Sequence, residues 1–196
     1  MPHPLVGKEA PALSLPEANG ETYTFEPGKS GVPIALFFYP KAGTYGCTKE
    51  ACQFRDALTE KDVFKNSNVQ VVGVSGDSVE KQKQFKEKQG LTYPILSDSK
   101  GEARKAYHVG KGLLGLTDAR TTFVIDSKGI VREVLDATLN FGAHSKFVNK
   151  WLTKLAAEEK KDATEPTPAA AEETPAPVPE ATEDSTANDA TKVTGP

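Results

Sequence analysis

The sequence predicts an α/β fold with a mixed central sheet and flanking helices, an N-terminal β-hairpin and a disordered C-terminal tail. Apolar runs of strand length alternate with segments of helical spacing. A strand–helix–strand order implies parallel neighbouring strands, and a closing hairpin adds antiparallel ones. The composition then changes abruptly at Lys161. We therefore expect one folded domain at residues 1–160 and a tail at residues 161–196.

The first part of the chain predicts a hairpin, a buried strand and a helix. Leu13–Leu15 and Thr22–Phe25 flank an Asn-Gly turn, which is typical of a short hairpin. Pro33–Tyr39 is a continuous apolar run and indicates a strand buried on both faces. From Cys47 the apolar spacing becomes helical, and one broad face carries Ala51, Phe54, Leu58 and Val63.

The middle of the chain adds a second buried strand and two helices. Val69–Val74 is the strand. Ser78 or Asp77 caps a polar helix that runs to Gln89, and Gly90 ends it. A shorter helix fits Gly101–Tyr107.

The last part predicts a hairpin and an amphipathic helix. Thr121–Ile125 and Ile130–Leu135 form the hairpin, and Ala143–Ala157 forms the helix, whose apolar face carries Phe147, Trp151 and Leu155. This order of elements is typical of a thioredoxin-like fold.

The tail has the composition of a disordered segment. It contains six prolines and no aromatic residue, and Val178 and Val193 are its only aliphatic residues larger than alanine. Its net charge is −6, so residues 1–160 carry +3 of the total of −3. This balance argues against nucleic-acid binding. No apolar run reaches the roughly 18 residues of a membrane span, and we see no secretory signal. We expect an intracellular, cytoplasmic protein, with the nucleus left open.

The first candidate site residue is Cys47, which lies where a buried strand passes through a loop into a helix. Ligands bind at the carboxyl ends of strands in such sheets, and the free N–H groups of a helix start stabilise an anion. A thiolate attacks a peroxide, whereas a thiol does not. Thr44 can direct its hydroxyl towards the same place. The alternative is an inert core cysteine with Thr44 as a helix cap.

Cys52 follows five residues later on the same helix. Helix geometry separates the two Cα atoms by roughly 8–9 Å, beyond the limit of about 7 Å for a disulfide. A Cys47–Cys52 bond therefore requires the first turns of the helix to unwind. The alternative is that Cys52 faces the core and never reacts. The two cysteines and the scattered histidines (His3, His108 and His144) show no zinc-ligand spacing, and none of these histidines lies in an informative context for a cysteine–histidine hydrolase.

Arg120 is the third candidate because it directly precedes a strand. An arginine there is usually solvated. Its guanidinium nevertheless stays charged and presents a planar fork of donors that suits a peroxide and a thiolate.

These residues resemble peroxiredoxins, most closely the Q type, also called the bacterioferritin-comigratory type. The active-site segment runs from Phe37 to Asp56 and includes Pro40-x-x-x-Thr44-x-x-Cys47. The segment Ala119–Asp126 matches a second signature, and Val6–Pro11 matches the family's start. The similarity spans about residues 5 to 155.

The resemblance implies a thioredoxin-fold peroxidase for hydrogen peroxide and organic hydroperoxides that needs no cofactor and no metal. Cys47 would be the peroxidatic cysteine and Cys52 the resolving one, with thioredoxin or a glutaredoxin reducing their disulfide. Thr44 and Arg120 would position the peroxide, and Pro40 would shield the pocket. Glu50 matches an acidic position of the family and could pair with Arg55 or another cation. An intramolecular resolving cysteine favours a monomer.

The chain departs from many relatives in the loop before Cys47. Ala42-Gly43 stands where they have an acidic pair, and Tyr45 stands where they have proline. Gly43 should loosen the loop, and the loss of proline frees a backbone angle near the helix start. Peroxide preference and ease of unwinding are the properties affected. The alternative function is a peroxide sensor or a redox-switched holdase whose disulfide signals to a partner.

Overall fold

The computed structural model describes residues 2–112 and 115–162. The predicted tail from residue 163 onward lies outside the described residues. The last helix continues to Asp162, so it ends two residues beyond the predicted end of the folded domain.

Five strands form the central mixed sheet. These are β3 (Ile34–Phe38), β4 (Gln70–Ser75), β5 (Ile95–Ser97), β8 (Thr121–Ile125) and β9 (Val131–Asp136), in the spatial order β5-β4-β3-β8-β9. β3 pairs in parallel with β4 and β4 with β5, whereas β8 runs antiparallel to both β3 and β9. The thioredoxin-like architecture predicted from the order of elements is confirmed.

Two small two-stranded sheets accompany the central one. The predicted hairpin consists of β1 (Leu13–Pro16) and β2 (Thr22–Phe25). The second pair, β6 (Lys111–Gly112) and β7 (Thr117–Asp118), was not predicted, because two-residue strands carry too little periodicity to be recognised.

Five helices are described: α1 (Tyr45–Glu60), α2 (Asp62–Asn66), α3 (Val79–Gln89), α4 (Glu102–Ala106) and α5 (Ala143–Asp162). Ser78 caps α3 by accepting a hydrogen bond from the Lys81 N–H, and Gly90 ends it in the left-handed conformation, as predicted. Val63 lies on α2 and not on the face of α1, because the chain becomes extended at Lys61. None of the described helices is long and apolar enough to cross a membrane.

The alternation along β3 assigns the helices to the two faces of the sheet. Ala35 and Phe37 belong to a core cluster shared with α1, α2, α3 and α5. Ile34, Leu36 and Phe38 belong to a second cluster shared with α4 and the N-terminal hairpin. Since successive side chains of a strand point to opposite faces of the sheet, β3 contributes residues to both core clusters. Cys47 lies in the first cluster and is 1% exposed.

Candidate active site

The pairing of β3 with β8 brings Arg120 close to the loop that leads to Cys47. Phe38, the last residue of β3, lies opposite Thr121, the first residue of β8. Arg120 therefore lies beside the point where the chain leaves β3 for the loop that leads to α1. Cys47 occupies the third position of α1, within its first turn, as predicted.

Arg120 is buried, at 4% exposure, and is not solvated as strand-end arginines usually are. Its Nη2 donates to the Cys47 Sγ at 3.3 Å, and its Nε donates to the Thr138 carbonyl at 3.1 Å. Its Nη1 donates to the Glu50 carboxyl group. One guanidinium thus contacts the sulfur, a carboxyl group and a backbone carbonyl at the same time. The predicted proximity of Arg120 and Cys47 is present in the structure.

Gly46 allows this close approach of Arg120 to the helix start. A Cβ atom at Gly46 would lie 3.3 Å from the Arg120 Nη2 and 3.2 Å from the Phe141 ring. Phe141 also packs edge-on against Tyr45, with 5.7 Å between the ring centroids. Phe141 and the guanidinium therefore both lie against Gly46 in the first turn of α1.

Thr44 and Pro40 lie on the loop between β3 and α1. Thr44 is the N-cap residue of α1, but its hydroxyl makes no capping hydrogen bond and donates instead to the Lys41 carbonyl at 3.0 Å. Pro40 is half-buried and directly follows Tyr39. The structure thus places Thr44 on the loop, three residues before Cys47, with its hydroxyl occupied by the backbone. The roles of Thr44 and Pro40 stay predictions.

The loop before Cys47 is hydrogen-bonded to Asp77, which directly precedes the cap of α3. Gly43 has a φ of +80°, a left-handed conformation that glycine adopts without strain. The Ala42 N–H donates to the Asp77 carboxylate at 2.6 Å, and Lys81 pairs with the same carboxylate. Burial disfavours the charged carboxylate, but these hydrogen bonds hold the pKa of Asp77 below its usual value. Asp77 therefore anchors the loop from the start of α3.

Cys52 lies on the accessible side of α1. Its Sγ contacts the Gln89 Oε1 at 3.6 Å, and the neighbouring Arg55 donates to the Gln89 carbonyl at 2.5 Å. Both cysteines are free, and α1 is continuous through them. The structure therefore represents the reduced protein, in which the expected disulfide would require α1 to unwind. A groove of about 680 Å³ borders Cys52, and its charged lining residues are Lys49, Arg55, Asp56, Lys81 and Lys88.

Glu50 is fully buried and pairs with Arg120, not with Arg55, which pairs with Asp56. Burial raises the pKa of Glu50 to about 8, although the charge and hydrogen bond of Arg120 oppose this shift. Burial thus favours the protonated carboxyl group, and Arg120 favours the ionised one.

His144 is the residue of the site that the sequence did not predict. Its side chain is fully buried on α5, with Nδ1 2.8 Å from the Thr122 hydroxyl, 3.5 Å from the Glu50 Oε1, and Nε2 3.1 Å from the Ala137 carbonyl. Burial lowers its pKa to about 4, with the positive charge of Arg120 acting in the same direction. A signal was present: His144 shares the buried face of α5 with Val148, Leu152 and Leu155, at helical spacing. Phe147 and Trp151, chosen from the sequence for that face, are only partly buried.

No group of three or more His, Cys, Asp or Glu side chains within residues 2–112 and 115–162 could hold a metal ion. The site described above consists of a buried cysteine at a helix start, a guanidinium on its sulfur and a second cysteine one and a half turns further along.

Comparisons with known proteins agree with this geometry. Residues 6–134 match the model of the AhpC/TSA family. A chloroplastic peroxiredoxin Q of Suaeda salsa is 36% identical over 149 residues, which cover 76% of this chain and 68% of that protein. The crystal structure of peroxidoxin BcpB from Mycobacterium tuberculosis superposes with a TM-score of 0.68 at 37% identity, covering 76% of this chain and 97% of that one. A Xanthomonas campestris bacterioferritin comigratory protein, described for its alkyl peroxide reduction activity, gives a TM-score of 0.64 at 28% identity, covering 74% and 92%.

Proposed function

Because this chain belongs to the AhpC/TSA family and is a thiol-dependent peroxidase of the peroxiredoxin Q type, we propose that Cys47 is its peroxidatic cysteine and Cys52 its resolving cysteine. The contact of 3.3 Å between the Arg120 Nη2 and the Cys47 Sγ carries the first assignment. A guanidinium that cannot lose its proton stabilises a thiolate, and the start of α1 adds backbone N–H groups.

The reaction proceeds in three steps: oxidation of Cys47, formation of the disulfide and reduction of the disulfide. The Cys47 thiolate attacks the O–O bond of a hydroperoxide, so the sulfur becomes a sulfenic acid and the departing alkoxide or hydroxide takes up a proton. The Cys52 thiol condenses with the sulfenic acid, forming the disulfide and releasing water. A thioredoxin-type dithiol then reduces the disulfide and is itself oxidised.

Arg120 serves the first step by facing both sulfur and peroxide. Its fork already donates to the Cys47 sulfur, and a positive charge beside the reacting atoms stabilises the negative charge that moves onto the departing oxygen. We propose that Thr44 and Pro40 complete the pocket. In the reduced enzyme the Thr44 hydroxyl donates to the Lys41 carbonyl, so it must turn from that carbonyl to reach a bound peroxide.

Cys52 serves the second step after α1 unwinds locally. Three contacts hold this part of the helix: Cys52 to Gln89, Arg55 to Gln89, and the Tyr93 hydroxyl to the Ala51 carbonyl at 2.8 Å. Unwinding breaks these contacts and exposes the disulfide beside the groove that borders Cys52. Because both sulfurs belong to one chain, we propose a monomer that works in a reducing intracellular compartment, where a dithiol reductant is available.

The assignment is tested by the intact mass of reduced protein mixed with one equivalent of hydrogen peroxide and quenched with a thiol trap. The native protein should lose two hydrogens within seconds and have no trappable thiol. Cys52→Ser should stop at a sulfenic acid that dimedone labels, and Cys47→Ser should not react. Rapid sulfenic acid formation in Cys47→Ser would reverse the two roles, and thiols that stay trappable in the native protein for many minutes would refute both.

A further inference from the structure

The buried side of Arg120 contains a carboxyl group and an imidazole that the peroxidase chemistry does not use. Glu50 and His144 are both fully buried, and their Oε1 and Nδ1 atoms lie 3.5 Å apart. Within the described residues, the Glu50 Oε1 has no hydrogen-bond partner. A buried oxygen that makes no hydrogen bond lowers the stability of the folded protein. We therefore ask which protonation states of Glu50 and His144 would give this oxygen a partner.

The surroundings of His144 determine which of its nitrogens carries the proton. Nε2 faces the Ala137 carbonyl, which only accepts hydrogen bonds, so Nε2 carries a hydrogen. The Thr122 hydroxyl can donate to a bare Nδ1. His144 is also the second residue of α5, and the positive end of the helix dipole disfavours an imidazolium there. The single lone pair at Nδ1 of the neutral imidazole can therefore accept a hydrogen from either the Thr122 hydroxyl at 2.8 Å or a protonated Glu50, whose Oε1 lies 3.5 Å away.

If Glu50 were ionised, a lone pair of its Oε1 would face the lone pair of Nδ1, and the two would repel each other. A protonated Glu50 can instead direct its O–H at Nδ1. The direction of the Glu50 pKa shift, upward through burial, favours the protonated form. Three other titratable groups face or lie near Glu50: Arg120 before β8, Cys47 on α1, and Tyr93 before β5. Arg120 stays charged and Tyr93 stays neutral, so the thiol of Cys47 is the group whose charge can respond.

We propose that Glu50 and His144 hold one proton between them and act as a neutral unit, so that the positive charge of Arg120 is left to the thiolate of Cys47. His144 is a positioning residue, because it touches neither sulfur nor peroxide. It acts through Glu50: a carboxylate there would compete with the thiolate for one guanidinium, and a carboxylic acid does not. This inference rests on the proposed role of Cys47 and adds a determinant of its ionisation.

The test uses the pH dependence of Cys47 alkylation, with Cys52→Ser as the common background. His144→Phe removes the acceptor of the Glu50 proton, so Glu50 ionises more readily. The midpoint of Cys47 alkylation should then rise by about one pH unit, because an ionised Glu50 weakens the hydrogen bond from Arg120 to the thiolate, and one hydrogen bond to a charged group shifts a pKa by about that much. In the pair Glu50→Gln/His144→Phe the amide is neutral at every pH, so the midpoint should return to that of Glu50→Gln alone.

Two further variants separate the proposal from a structural role. An asparagine at 144 can place its carbonyl oxygen near the Nδ1 position, whereas a glutamine can only reproduce the donor at Nε2. His144→Asn should therefore keep the native midpoint, and His144→Gln should show the upward shift. These two also serve if His144→Phe does not fold. His108→Asn is the matched control, because His108 is exposed and has a φ of +50°, which asparagine tolerates.

Equal midpoints in His144→Gln, His144→Phe and the native protein would overturn the proposal. So would a shift in His144→Phe that Glu50→Gln fails to reverse. Failure of Cys47 to form a sulfenic acid at all would refute the proposed function instead, and the midpoints would still report on Glu50 and His144.

Discussion

Replacement of Arg120 by lysine tests the contact on which the site depends. The guanidinium spreads its donors over three places: the Cys47 sulfur at 3.3 Å, the Glu50 carboxyl group and the Thr138 carbonyl at 3.1 Å. A lysine carries its donors on one nitrogen and cannot occupy these three positions together. Arg120→Lys therefore keeps the positive charge in the site and removes the fork.

The expected loss follows from the contact to sulfur. A hydrogen bond to a charged group contributes about 1.5–3 kcal/mol. Since about 1.4 kcal/mol corresponds to a factor of ten in rate, Arg120→Lys should slow Cys47 oxidation by about 10- to 150-fold. The cost in folding stability should stay moderate, because Glu50 can remain protonated and leaves no unpaired buried charge.

The assay is rapid mixing with hydrogen peroxide followed by a thiol trap and intact mass, with a urea titration to measure stability. Arg132→Lys is the matched control, because the Arg132 guanidinium likewise binds more than one partner, Asp126 and Glu158, but lies on β9 and is not part of the site. An Arg120→Lys rate within twofold of the native rate would refute the role of the fork. An equal slowing in Arg132→Lys would show that the effect is not specific to the site.

Three further predictions concern the surroundings of Cys47. Tyr93→Phe loses the buried hydrogen bond to α1, so the free energy of unfolding should fall by about 0.5–1.5 kcal/mol while disulfide formation after Cys47 oxidation becomes faster, as followed by quenched mass spectra. Gly46→Ala should slow Cys47 oxidation in the same quenched mass spectra, since its Cβ would lie 3.3 Å from the Arg120 Nη2 and displace the guanidinium from the sulfur. For His144→Asn, the stability deficit relative to the native protein should shrink by about 2 kcal/mol between pH 7 and pH 5 in urea titrations.

The sign of the pH effect follows from the lowered pKa of His144, about 4 when folded against 6.5 as the reference value. Between these values the unfolded chain binds the proton and the folded protein does not, so the native protein loses stability from this group as pH falls through the window. Glu50 has the opposite dependence: its raised pKa contributes stability at low pH that is lost as pH rises towards 8. A stability deficit of His144→Asn that is constant with pH would contradict the assignment of a neutral, buried imidazole.

An unchanged rate of disulfide formation in Tyr93→Phe would contradict the prediction for that variant. A native rate of Cys47 oxidation in Gly46→Ala would contradict the prediction for Gly46.

The sequence by itself determined the elements that depend on short-range patterns. The apolar run of β3, the capped helix α3 and the start of α1 near Cys47 follow from spacing and capping within a few residues. The motif around Cys47 and Cys52 and the later Arg120 likewise sufficed to indicate a peroxidase. The break at Lys61 and the two-residue strands β6 and β7 escaped, because the local signal there is too short.

Only the tertiary structure decided which residues of the site contact one another. Glu50 and Arg120 are 70 positions apart, and the order of the sheet, with β8 beside β3, makes them partners. His144 lies 94 positions beyond Glu50 and reaches it because α5 packs on the same face of the sheet as α1. The pKa of a buried ionisable group depends on the groups that surround it in space, and the spacing of residues along the chain does not show which groups these are. The raised pKa of Glu50 is therefore a consequence of the fold.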